Sequence, residues 1–81
     1  MEVITDKKEL LEAIKKDCYA LRYASYELKN DKEVVLEAVK ANGYNICFAS
    51  DKFINDKEVV LEAVKRLKDD KEFITKLEKY L

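Results

Sequence analysis

Histidine, proline and tryptophan are missing from this sequence, glycine occurs once (Gly43) and cysteine twice (Cys18, Cys47). Without histidine the chain has no ready general base near neutral pH. One glycine cannot build a Gly-rich phosphate loop or a Gly-x-Ser-x-Gly elbow, and no metal-spaced cluster is present. The two cysteines do not occupy equivalent places in the pattern described below, so they read as reduced, partly buried thiols and not as a disulfide framework or a metal set. No apolar run approaches the roughly 18 residues that span a bilayer. The segment Met1 to Asp6 lacks the basic-then-apolar order of a secretory signal, which leads us to expect a cytoplasmic protein. Neither sign of charge dominates: Lys+Arg 16 against Asp+Glu 17 gives −1, no field to hold nucleic acid or an anionic membrane.

What remains is rich in Glu, Lys, Leu and Ala, all strong helix formers. At 81 residues the chain makes one thin-cored domain, since a core below about 80 residues seldom supplies more than roughly 3–5 kcal/mol. Regular helix packing, with self-association as a supplement, is the expected remedy.

An internal period organises the sequence. Asn30-Asp31-Lys32-Glu33-Val34-Val35-Leu36-Glu37-Ala38-Val39-Lys40 recurs unchanged from Asn55 to Lys65, which defines a 25-residue repeat. A looser copy, Thr5 to Lys15, lies one period upstream. The second half also recurs: Tyr19-Ala20-Leu21-Arg22-Tyr23-Ala24-Ser25 aligns with Tyr44-Asn45-Ile46-Cys47-Phe48-Ala49-Ser50. We therefore expect an all-α domain of short helical hairpins, five to six helices in all, with units at 5–29, 30–54 and 55–68. The third unit lacks a recognisable second half, and residues 69–81 read as a C-terminal capping helix.

Asn30 with Glu33, Asn55 with Glu58 and Asp69 with Glu72 have capping-box spacing and predict helix starts. Asn42-Gly43 predicts a stop with Gly43 in the left-handed conformation, and Asp17-Cys18 a less regular turn. On a helical wheel Val34, Val35, Leu36, Ala38, Val39 and Ala41 leave only Glu33, Glu37 and Lys40 as a polar strip. A helix so broadly apolar must be covered on two sides. Leu21, Ala24, Leu28, Ile46, Ala49 and Phe53 are the expected core of the second halves. Phe73, Ile74, Leu77, Tyr80 and Leu81 form one face of the last helix, with a break at Asp69-Asp70.

With those elements in order, the stretch from Thr5 to Lys65 resembles the domain-of-unknown-function family 4116 (DUF4116). The resemblance implies a helical protein of a kind that occurs in tandem in bacterial and protist proteins, without an established activity and with no catalytic residues to transfer. The Asp17-Cys18 turn and the third unit depart from the pattern.

Tyr19, Tyr23 and Tyr26 at i, i+4 and i+7, with Tyr44 and Phe48 repeating the first two places, form a stripe that could meet a protein partner. The alternative is that these rings fill grooves between hairpins. Pairing them with Arg22, Lys65, Arg66 and Lys68 would give a single-strand nucleic-acid binder, but Glu9, Glu12, Asp17 and Glu27 accompany Arg22 and oppose phosphate. Glu12, Glu37 and Glu62 recur with the period, as a solvated strip does; Glu37 with Lys40, and Glu62 with Lys65 or Arg66, are expected pairs. Cys18 lacks a base to activate it.

The resulting expectation is a non-enzymatic interaction or scaffolding module without cofactor or metal, binding a protein partner of unidentified kind, a second copy of itself being one candidate. A structural fragment of a longer array is the alternative, and single-stranded nucleic-acid or small-ligand binding a third reading.

Overall fold

The structure, a computed structural model, describes residues 3–80. Five α-helices run in the order α1 (Lys7–Lys16), α2 (Tyr26–Lys29), α3 (Lys32–Ala41), α4 (Lys57–Arg66) and α5 (Lys71–Glu78). Three 3-10 helices join them, at Ala20–Tyr23, Gly43–Phe48 and Asp51–Asn55. The chain is thus all-α among the described residues, apart from one isolated parallel bridge between Ile4 and Ala24. The long helices α1, α3 and α4 begin at Lys7, Lys32 and Lys57, in step with the sequence period. Leu81, counted above on the face of the last helix, lies outside the described residues, as do Met1 and Glu2.

Aspartates start the long helices. Asp31 accepts hydrogen bonds from the N–H groups of Glu33 (3.0 Å) and Val34 (3.4 Å), and Asp56 from those of Glu58 (3.0 Å) and Val59 (3.4 Å). Asp6 caps α1 and Asp70 caps α5 through one such bond each, from the N–H groups of Glu9 (3.1 Å) and Phe73 (3.0 Å). The caps therefore sit one residue after Asn30, Asn55 and Asp69, and the glutamates fall at the second helical position, so the reciprocal capping box does not form. A carboxylate in the extended cap position satisfies two otherwise orphaned donors and carries a full charge at the positive end of the helix dipole.

The stop at Asn42-Gly43 also differs from expectation. No described glycine has positive φ, and Asn42 is extended, with φ −159° and ψ 117°. Gly43 is required by proximity: a Cβ there would lie 2.6 Å from Leu67 Cγ and 2.9 Å from the Ala63 carbonyl oxygen. Asp17, equivalent to Asn42, is likewise extended (φ −134°, ψ 106°). Asp17 Oδ1 accepts the Tyr19 N–H at 2.9 Å, just as Asn42 Oδ1 accepts the Tyr44 N–H at 2.9 Å. Asp and Asn offer the same acceptor to the residue two ahead, but the Asp17-Cys18 turn is the less regular of the two, as expected: Cys18 and Tyr19 form a turn before the 3-10 helix starts at Ala20, whereas the counterpart enters its 3-10 helix directly at Gly43.

α3 lies at the centre. Val34 and Ala38 join Leu10, Ile14, Leu21 and Leu28 in one apolar cluster, while Val35 and Val39 join Val59, Val60, Ala63, Ile46 and Phe53 in another. Two-sided burial accounts for the breadth of its apolar arc. Of the expected second-half core, Leu21, Ala24, Leu28, Ile46 and Phe53 are buried and Ala49 is half-buried. Asn45, fully buried, spans the two halves. Its Nδ2 donates to the Ala38 carbonyl (2.8 Å) and to that of Cys18, while its Oδ1 has no partner.

Candidate functional site

The expected aromatic stripe is divided. Tyr19, Tyr23 and Tyr26 do not share a helix: Ala24 and Ser25 are extended, and Ser25 caps α2, so Tyr26 belongs to a new element. Tyr26 is 75% exposed. It lines a shallow concavity of about 330 Å³ with Lys29, Ala49, Ser50 and Asp51. The other four rings are half-buried and largely occupied within the chain. Tyr19 meets Phe48 edge-on at 6.4 Å between centroids, and Tyr44 meets Phe73 edge-on at 5.1 Å. The Arg22 guanidinium lies 4.7 Å from the centre of the Tyr23 ring and 5.8 Å from that of Tyr19, so the basic residue singled out beside the stripe caps it.

The Tyr44–Phe73 pair is the Tyr19–Phe48 pair moved along by one repeat. Phe73 thereby occupies the place of Phe48 in the next unit, and the first turn of α5 carries it there. The third unit thus keeps this aromatic step of the second half, though its sequence is unrecognisable as one. The Tyr44 hydroxyl donates to Asp70 Oδ2, clipping α5 in place. This bond pushes the Tyr44 phenol above, and the Asp70 carboxyl below, their ordinary values.

A second arrangement was not among the expectations from sequence. Lys7 Nζ reaches Asp31 Oδ2 (2.9 Å) and Glu33 Oε1 (2.6 Å) on the next long helix. Lys32 Nζ repeats the grip on Asp56 (3.0 Å) and Glu58 (2.8 Å). Hydrogen bonding to these carboxylates raises both lysines, and the lysine is the main cause that lowers Asp31 and Asp56. One turn on, Leu11 and Leu36 are half-buried against the neighbouring clusters. On α4 the corresponding residues are Lys57, for which the described residues give no ion pair, and Leu61, 54% exposed. The Lys-x-x-x-Leu spacing at 7/11, 32/36 and 57/61, read together with Asp-x-Glu in the following unit, is the signal that could have revealed it.

Elsewhere, a groove of about 740 Å³ between α1 and α3 has Leu11, Ile14 and Cys18 among its lining, with Lys15, Lys16, Glu33, Glu37 and Lys40 around it. Cys18 is half-buried and Cys47 exposed, each a free thiol; Cys47 is thus less covered than expected, since Ile46 turns inward instead. The recurrent glutamates pair as the spacing indicated, Glu37 with Lys40 (3.8 Å) and Glu62 with Arg66 (3.1 Å). No described helix is long and apolar enough to cross a membrane, and the described residues hold no cluster of three or more potential metal ligands.

The family model described as "Domain of unknown function (DUF4116)" matches this chain twice, over residues 6–54 and 32–66. Neither a curated protein nor a solved structure matches it.

Proposed function

The chain belongs to the DUF4116 family, a domain of unknown function, and on that premise we propose that it is a non-catalytic module that binds other proteins through helical surfaces. The observation that supports this reading is the N-terminal half of α4, where Lys57 and an exposed Leu61 repeat a surface whose lysine is paired and whose leucine is half-buried at both earlier positions. An exposed leucine beside a cation is the kind of small apolar patch with a charged rim that protein contacts use. Tyr26 is the member of the aromatic set most open to a partner. A cytoplasmic location fits two free thiols, which persist in a reducing compartment.

The reading is tested with a photo-reactive amino acid at position 61. Proteins cross-linked there are purified and mixed with the wild-type chain or with Leu61→Glu in size-exclusion chromatography with light scattering. Complexes should form with the former and fail with the latter. Complexes indifferent to Leu61→Glu would overturn the assignment of this surface.

A further inference from the structure

Within the chain the surface carried by Lys57 and Leu61 has two precedents, and both cover it in the same manner. Lys7 and Lys32 each grip a helix whose N-cap is Asp and whose second helical residue is Glu. In each case the leucine four residues after the lysine is packed against the apolar cluster beyond.

We propose that the N-terminal half of α4 docks a partner helix of the same chemistry: aspartate at the N-cap, glutamate two residues later, and small branched apolar residues on the following turn. This rests on the interaction-module reading above and names the partner of that site. α5 does not supply the missing helix, although it begins Asp70-Lys71-Glu72. Asp70 is engaged by the Tyr44 hydroxyl and the Phe73 N–H, and Phe73 occupies the second-half position. A second copy does not supply it either. Its Asp31/Glu33 and Asp56/Glu58 pairs are held internally, and α1 begins Asp6-Lys7-Lys8, with lysine where glutamate is needed. The partner segment therefore lies outside these 81 residues. Exposed ion pairs contribute little affinity by themselves, so Lys57 selects the partner and sets its register while the apolar contact with Leu61 holds it.

The test uses the full chain, labelled with ¹⁵N, and a helix-stapled peptide copying Asn55 to Lys68, titrated by NMR. An isolated peptide of this length is poorly helical unless constrained. Amide shifts should centre on Lys57 and Leu61. Lys57→Glu should weaken binding on the order of tenfold, and a peptide carrying lysine in place of its Glu58 should recover most of that loss. Leu61→Glu should abolish binding, with thermal melting used to verify that both variants fold. Binding lost with Leu61→Glu but indifferent to Lys57→Glu would overturn the acidic-helix assignment and leave the interaction surface standing. Binding indifferent to both substitutions, shifts centred elsewhere, or no shifts would overturn the proposal, and the cross-linking result from position 61 then decides the broader reading by itself. Concentration-dependent self-association of the peptide-free chain that Lys57→Glu abolishes would also overturn it, because the occupant would then be a second copy.

Discussion

The contact of α1 with α3 and that of α3 with α4 are built on the same plan, and they differ most where the helices end. At the second, Leu67 lies directly on Gly43. At the first, the equivalent places hold Asn42 and Cys18, which meet through a long Asn42 Nδ2 to Cys18 Sγ contact of 3.6 Å, beside the open groove of about 740 Å³. The ion pairs and the aromatic step are retained at both. The shared polar framework sets the register of successive helices, while a single side chain at the turn decides how closely their ends approach.

The largest effect should come from Asn45, which ties the two contacts together. Asn45→Asp would aim a buried carboxylate at two carbonyl oxygens and should cost about 3 kcal/mol or more, enough to leave so small a domain substantially unfolded in urea titration. Retention of near wild-type stability would show that the two halves hold without that tie. Next, Gly43→Cys transplants the first turn into the second. Overpacking against Leu67 and the Ala63 carbonyl should cost about 1–3 kcal/mol. Combining it with Leu67→Ala should cost less than the sum of the single changes, because the two share one clash; strict additivity would mean that Leu67 is not what requires glycine.

Tyr44→Phe should have a smaller effect, seen chiefly in the pH dependence of the melting temperature. Asp31, Asp56 and Asp70 all titrate below the ordinary carboxylate value of 3.8. Their ionised forms therefore stabilise the fold fully above about pH 4, and that contribution fades as the pH falls through their folded values. The Tyr44 phenol titrates above 10.0, so its contribution is complete below that pH and fades above it. Tyr44→Phe should flatten the acid limb by the share of Asp70 and the alkaline limb by the share of Tyr44, while leaving the lysine clips intact. Smallest of all, Lys7→Gln and Lys32→Gln should each lower the melting temperature slightly and equally, as exposed pairs do; a clear inequality would show that the two contacts use their clips differently.

The long helices are legible in the sequence because their hydrophobic period is local. Their caps are not, to the exact residue: Asn30 and Asp31 are both good caps, and what favours Asp31 is Lys7, which reaches it from another helix. Gly43 is hard to read for a similar reason, since the glycine-specific demand comes from Leu67 across the fold and not from backbone φ. The second halves look like helices on a wheel, yet extended Ala24 and Ala49 divide each into two short pieces, a 3-10 helix followed by α2 in the first unit and two 3-10 helices in the second. That interruption separates Tyr26 from the rings with which its spacing groups it. Phe73 is obscured because its neighbours no longer resemble those of Phe48, although its position in the repeat is intact.

The lysine clips give the chain a direction. Each unit holds out a cation toward the C-terminus, and the second and third also present an Asp-x-Glu acceptor toward the N-terminus, so a further copy of either inserted in phase would bring one of each and leave no additional charge unmatched. Growth by duplication is therefore electrostatically neutral at every seam. By the same reasoning, a deletion that misses the period by a single residue in either direction is far more disruptive than the removal of one whole unit.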